Sequence, residues 1–203
     1  MDLFDKPQID LTKITCHSGG AEGSDMAWEK IGEKFGVKTR AYSYKTPHHD
    51  SPNKVEISDA DYQEGIIEVN KANKWLFRFG INKYMNLLAR NWSQVKYSNE
   101  IFAIGTIVEP GKKGSKGFYN KSKYQVVDGG TAYAVQMGIN HNRDVYVFDL
   151  NKNKWFRWSY AAFQFIETEI PKISTQDFAG IGSREITPEG IMAIRQVYEK
   201  TFK

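Results

Sequence analysis

The chain has little of several things, and each shortage excludes a class of protein. It carries one cysteine, Cys16, so it can form no internal disulfide and no cysteine-based zinc cage. It has no apolar run approaching the roughly 18 residues that a membrane span needs. The first residues, Met1-Asp2-Leu3-Phe4-Asp5-Lys6, lack the basic-then-apolar pattern of a secretory signal, so a cytoplasmic protein is expected. Charge of one sign is also scarce: 28 Lys and Arg against 24 Asp and Glu leave a formal net charge of +4. That mild excess argues against a dedicated nucleic-acid-binding domain, which usually shows a clustered basic face. No internal repeat or low-complexity linker is present. With 203 residues, 40% hydrophobic and 14% aromatic, the chain has a folded composition and the length of one domain.

The apolar runs are short and alternate with helical patterns, which predicts an α/β fold with a parallel sheet. Strands are expected at 14–18, 37–44, 100–108, 144–150, 154–158 and 178–181. Helices are expected over 21–35, with Met26, Ala27, Ile31 and Phe35 on its apolar side and Gly36 closing it, and over 58–76, with Ser58 as N-cap. Further helices are expected over 83–96, 130–138 and 188–202, the last with Thr187 as cap and Pro188 in the first turn. The whole chain, 1–203, is expected to form one domain with excursions at about 45–57 and 109–125. The second excursion is turn-rich, suggests a β-hairpin and holds the main basic cluster, Lys112, Lys113, Lys116, Lys121 and Lys123. It is either a solvated loop or a flap over an anionic ligand.

Three times a short strand meets glycines and then a helix. The segments are Ser18-Gly19-Gly20-Ala21-Glu22-Gly23-Ser24-Asp25, Val126-Val127-Asp128-Gly129-Gly130-Thr131-Ala132 and Ala179-Gly180-Ile181-Gly182-Ser183-Arg184-Glu185. Glycine lets backbone approach a ligand closely, and a helix N-terminus offers unpaired N–H groups and a positive dipole end. Together they suit phosphate. None is a Walker A loop or a full dinucleotide fingerprint. The expected ligand is therefore a phosphorylated, nucleotide-type small molecule, and no cofactor or metal is expected.

These motifs add up to a resemblance. The 18–25 segment resembles the SGGA-x-G-[AS]-D element of the SLOG superfamily, which joins the Lonely Guy phosphoribohydrolases, the DNA-processing protein A family, molybdenum-cofactor carriers and nucleotide-sensing domains of immune effectors. Ala89-Arg90-Asn91-Trp92-Ser93-Gln94-Val95 resembles the A-R-N-x-x-Q-V element of its phage-type members. Gly129-Gly130-Thr131-Ala132 resembles their GGT-x-x-A helix start, and Phe178 to Glu185 their aromatic-A-G-I-G-S-R element. In most members G-I-G-S-R precedes SGGA; here it lies near the C-terminus. Moving 178–203 ahead of Leu11 restores the order. The resemblance thus implies a circularly permuted Rossmann-like fold in which the C-terminal strand pairs beside the Ile14 strand in mid-sheet.

The resemblance also implies site roles. Ser18, Gly19, Gly20 and Gly23 would hold one phosphate through backbone, and Gly129, Gly130 and Thr131 a second. Gly182, Ser183 and Arg184 would form the charged clamp, since arginine contacts phosphate bidentately. Gly105 and Thr106, at a strand end, complete the candidate contacts. Arg90 and Asn91 either orient the ligand or tie layers together, and Asp25 either holds a ribose hydroxyl or braces a loop. The Lonely Guy motif P-G-G-x-G-T-x-x-E is incomplete, because its proline and catalytic glutamate are missing from 128–134. Glu22 and Glu185 are the candidate replacements, or else first-turn residues favouring the helix dipole. Binding is therefore expected over catalysis. The most concrete form is a phage-type sponge, in the host cytoplasm, that sequesters an ADP-ribose-derived or cyclic nucleotide immune signal. A nucleotide phosphoribohydrolase and a single-stranded DNA binder are the alternatives.

Three further features complete the expectations. His48, His49 and Asp50 are expected to be a polar loop rather than a metal site. Tyr42, Tyr44, Trp92 and Phe102 are stacking candidates whose default role is core packing. The run Trp155, Phe156, Trp158, Tyr160 and Phe163 is either a hairpin packed on the core or, as preferred here, a homo-oligomer interface.

Overall fold

A computed structural model of the chain describes residues 9–47, 49 and 51–203. The expectations placed on Met1–Lys6, His48 and Asp50 lie outside the described residues. In chain order the elements are β1 (Thr15–Ser18), α1 (Ser24–Glu33), β2 (Lys38–Ser43), β3 (Lys54–Glu56), α2 (Asp59–Leu76) and α3 (Met85–Lys96). There follow β4 (Glu100–Gly105), β5 (Ile107–Val108), β6 (Val126–Val127), α4 (Thr131–Asn140), β7 (Asp144–Asp149), β8 (Lys154–Ser159), β9 (Gln164–Thr168), β10 (Asp177–Gly182) and α5 (Pro188–Phe202).

Eight strands form one sheet in the order β3-β2-β1-β10-β4-β7-β8-β9. The first six are mutually parallel, and β8 and β9 add an antiparallel hairpin at one side. The fold is Rossmann-like α/β. β10 pairs with β1 in the register Thr15↔Asp177, Cys16↔Phe178, His17↔Ala179 and with β4 on its other side. The C-terminal strand thus takes the mid-sheet place that the reordered motif sequence requires.

The central strands are buried on both faces, which is why they are nearly unbroken apolar runs. All six residues of β4 are buried. Alternation sends Ile101 and Ala103 into one layer and Phe102 and Ile104 into the other. The first layer is covered by α2, α3 and α4, through Val69, Leu88, Val95 and Met137. The second is covered by α1 and α5, through Trp28, Ile194, Val197 and Tyr198. Each fully buried Ile or Phe contributes roughly 1.5–3 kcal/mol, so these layers fix where the strand ends lie.

Caps behave as the sequence suggests at two helices. Ser58 Oγ accepts from Asp61 N, and Thr187 Oγ1 accepts from Gly190 N. In and just after helix α1, the expected Ile31 is buried in the second layer and Ala27 and Phe35 pack partly buried against it, while the buried side also takes in Asp25, Trp28, Glu29 and Gly32. The expected strand over 100–108 breaks at Thr106, and Ile107–Val108 pairs separately with β6. Within the 45–57 excursion, β3 forms the sheet edge beside β2. The 109–125 excursion closes on an antiparallel bridge, Lys113↔Tyr119. For the aromatic run, the structure shows the hairpin packed on the core at 155–158 and leaves Phe163 exposed. Trp155, Phe156 and Trp158 are buried within the two layers, because β8 joins the sheet and its alternate residues point into both. No described helix is long and apolar enough to cross a membrane.

Candidate functional site

In an open parallel sheet, ligands bind outside the carboxyl ends of the strands, where the winding direction reverses. Here β1 leads through α1 to β2 on one side, and β4 leads through α4 to β7 on the other, so the reversal lies in the middle of the sheet. The loops after β1, β10 and β4 all end at this edge.

The loop between β1 and α1 opens on a pocket of about 230 Å³. Gly19, Gly20, Ala21 and Glu22 form its floor, Tyr42, Ser43, Tyr44, Thr46 and His49 one wall, and Leu87, Arg90 and Arg184 the rest. Five candidate residues therefore meet in one cavity: Gly19, Gly20, Glu22, Arg90 and Arg184. Two of them carry guanidinium groups and one, the exposed Glu22, a carboxylate.

Arg90 is buried and held in place from several sides. Its Nη1 lies 3.6 Å from Asp25 Oδ2. Turned so that its amide oxygen faces Gly19, the orientation that gives both ends of the amide a partner, Gln94 accepts from Arg90 Nη1 at 3.3 Å and from Gly19 N at 2.7 Å, while its nitrogen donates to Asn91 Oδ1 at 3.1 Å. Burial pushes the Arg90 guanidinium below its ordinary pKa, with Asp25 opposing the shift. Burial likewise pushes Asp25 upward, against the pull of Arg90 and of the Ala21 and Gly182 backbone amides. The arrangement is a brace: Asp25 serves the loop and Asn91 serves Gln94. A Cβ on Gly19 would fall 1.4 Å from Arg90 Nη1, so only glycine lets the guanidinium pass beneath the loop.

The loops after β1 and β10 are knitted together. Ser24 N and Ser24 Oγ both donate to Ser183 O, at 3.1 and 2.8 Å. Ser183 N donates to Ile104 O at 3.0 Å, and Ser183 Oγ to Glu185 O at 2.6 Å. Gly23 has φ +93°, and a Cβ there would fall 2.1 Å from Arg184 O. Ser18 Oγ donates to Gly180 O at 2.8 Å. Thus Ser18, Gly23, Gly182 and Ser183 shape the site by close packing, and their contacts run to protein rather than to the cavity. Arg184 is the member of its loop that reaches the pocket.

The wall beyond the glycines is fastened by a residue that the motifs do not flag. The buried Glu29 carboxylate accepts from Ser51 Oγ at 2.8 Å and from Asn53 Nδ2 at 2.6 Å, which ties 51–53 to α1. Its signal in the sequence is the spacing Asp25, Trp28, Glu29, Gly32, a helical stripe that mixes two acids with a tryptophan. His49 Nε2 donates to Gly19 O at 3.1 Å, and burial lowers its pKa against the pull of that bond. Among the described residues no group of His, Cys, Asp and Glu is placed to hold a metal ion. Of the stacking candidates, Tyr42 and Tyr44 line the pocket, whereas Trp92 and Phe102 are core.

The second glycine loop stands apart from the cavity. The Asp128 carboxylate accepts from Gly129 N at 2.8 Å, Lys116 N at 2.9 Å and Ser115 Oγ at 3.0 Å. The buried Arg78 donates to the carbonyls of Gly129 and Val127 and stacks over Phe118 at 4.7 Å. No motif pointed to Arg78. Gly105 and Thr106 lie beneath this loop: Gly105 O accepts from Leu150 N and Thr106 O from Asp128 N, both at 2.9 Å. Gly130 caps α4 without a side-chain hydrogen bond. Lys116 joins the two halves of the edge, its stem beside Gly129 and its ammonium on Glu185. Glu185 is therefore paired and outside the pocket lining, while Glu22 is inside it.

Comparison with family models, with curated proteins and with solved structures returns no significant match.

Proposed function

We propose that this protein binds a phosphorylated, nucleotide-derived small molecule at the carboxyl edge of its sheet. The observation that carries the reading is the pocket built on Gly19 and Gly20, with Arg90 and Arg184 converging on it. Asp25 offsets the charge of Arg90, which leaves Arg184 as the cation that draws an anion to the pocket, and arginine's planar fork favours phosphate. Tyr44 offers an aromatic wall for a base or ribose, while the buried Tyr42 ring is taken up by His17 and Tyr97. At about 230 Å³ the cavity is smaller than the roughly 300–1,000 Å³ of pockets that enclose a drug-sized ligand. It takes one end of such a molecule, and the remainder extends along the strand ends toward Gly130 and Thr131.

The finer reading is a SLOG-type sponge that sequesters an ADP-ribose-derived or cyclic nucleotide immune signal. The motif resemblance and the β10 placement support it, and so does the state of the carboxylates: Asp25 is committed to Arg90 and Glu185 to Lys116. Glycosidic hydrolysis needs a carboxylate at the anomeric carbon. The pocket's Glu22 keeps that second reading in play and displaces Glu185 as its candidate. The test is to mix the protein with a nucleotide panel that includes cyclic ADP-ribose isomers, remove free ligand, denature and identify what is released. Intact ligand in stoichiometric amount supports binding. Free base or ribose phosphate, abolished by Glu22→Gln, supports hydrolysis.

A further inference from the structure

The modest net charge conceals a segregated one. From Val69 to Asn99, and again from Pro110 to Val127, the sequence contains no Asp or Glu. The fold brings the end of α2 and the 77–80 turn from the first stretch against the 109–125 excursion from the second. Three contacts show the junction. Lys121 Nζ lies 5.0 Å from the Phe79 ring centroid, Arg78 lies 4.7 Å from that of Phe118, and the Trp75 and Tyr124 rings are 5.2 Å apart. Tyr124 in turn meets Phe163 at 5.8 Å and carries Lys123 at 5.1 Å over its face.

The surface so formed is aromatic, open and cationic. Phe79 is 80% exposed, Tyr119 52%, Phe163 49% and Trp75 39%. Among the described residues, neither Lys121 nor Lys123 has a carboxylate within ion-pair distance, whereas Lys71, Lys96 and Lys116 are all paired elsewhere. Protein interfaces are depleted in lysine, so rings interleaved with free lysines point away from a protein partner. Such a combination suits a strand that carries a phosphate and a flat face at every unit, because lysines follow the backbone and rings stack on bases without sequence preference. A duplex hides its base faces and would leave the rings without a partner.

We propose that this surface, separate from the Arg90 and Arg184 pocket, binds single-stranded nucleic acid. It departs from the expectation drawn from net charge, which cannot see segregation. The test uses fluorescence anisotropy with end-labelled 15-nucleotide dT and U oligomers on the full chain. The expected result is binding that weakens steeply with salt, about ten-fold weaker in Phe79→Ala. In the double variant Lys121→Gln and Lys123→Gln, the log–log salt slope should be shallower by about 1.4. Phe79 is mostly exposed, so its loss leaves the fold intact. Four results would overturn the proposal: no binding at low salt, equal affinity for a duplex, full displacement by poly-glutamate at matched charge, or binding lost in Arg184→Ala and kept in Phe79→Ala. The last would place the strand in the nucleotide pocket. Ligand release from that pocket is measured separately, so either site can fail alone.

Discussion

The two glycine loops, at 19–23 and at 129–131, look alike as sequence and are built differently. The first lies on its own scaffold with no room to spare: a side chain at Gly19 would strike Arg90, and one at Gly23 would strike the Arg184 backbone. The second is open toward solvent, its nearest neighbour to an added Cβ at Gly129 being Lys116 Cγ at 3.4 Å. The first loop uses close approach to assemble a cation pocket. The second is held from outside by Asp128 and Arg78 and is crossed by Lys116. A small-residue turn before a helix therefore signals close backbone approach, and only the surrounding side chains decide whether what approaches is a ligand or the protein itself.

The largest effect expected from this difference comes from the brace. Asp25→Ala leaves the buried Arg90 unpaired and should lower stability by about 3–5 kcal/mol, measured by urea unfolding. Removing Lys116 from its exposed partner Glu185 should cost less than about 1 kcal/mol. Similar losses in the two variants would mean that the brace is no more than a surface pair.

Alanine at one positive-φ glycine of each loop, Gly23 and Gly129, sharpens the contrast. Gly23→Ala meets both an unfavourable φ and a backbone clash and should cost about 3 kcal/mol. Gly129→Ala meets the φ of +64° with no clash and should cost about 1 kcal/mol. The same midpoint in denaturant for both would erase the distinction between a packed loop and an open one.

The smallest effect is a pH dependence from beneath the sheet. His17 is buried, with Nδ1 2.9 Å from the Tyr42 hydroxyl and Nε2 2.9 Å from Asp177 Oδ1. It stacks on Tyr42 and Tyr97. Burial lowers its pKa, Asp177 opposes that shift, and Arg40 adds to it. The folded pKa thus lies below the ordinary value of about 6.5, and the unfolded chain binds the proton more readily. The stabilising contribution is complete above about pH 6.5 and is lost as pH falls toward the folded pKa. Unfolding midpoints should show a shallow decline below pH 6.5 that is reduced in His17→Phe, the remainder including His49, whose pKa burial also lowers.

Much of the fold was legible. β4, β7 and β10 are buried on both faces, and burial of that kind writes itself as Ile101-Phe102-Ala103-Ile104 or Phe178-Ala179-Gly180-Ile181. The edges were not. β3 is Lys-Val-Glu, and β9 is Gln-Phe-Ile-Glu-Thr with only Phe165 buried, too short and too polar for alternation to show. At the site, the glycines and the two arginines were legible as motifs. Glu29 and Arg78 were not, because each acts on groups far away in sequence: Glu29 on Ser51 and Asn53, Arg78 on the Val127 and Gly129 carbonyls; Gln94 stands in the A-R-N-x-x-Q-V motif, but its reach to the Gly19 amide does not show there. Such contacts leave no local pattern. The aromatic run at 155–158 could be read two ways, since a two-layer core and an interface draw on the same residues.

The central claim is that Arg184 and Arg90 clamp an anionic ligand on the first glycine loop. The most direct measurement loads the wild-type chain and Arg184→Ala with the nucleotide panel and quantifies the ligand each retains. Arg184 is exposed, so its loss should leave the unfolding midpoint unchanged. One charged hydrogen-bonding group is worth about 1.5–3 kcal/mol, so affinity should fall roughly 10- to 150-fold. Wild-type protein that retains no phosphorylated ligand, or a variant that retains as much as wild type, would contradict the account.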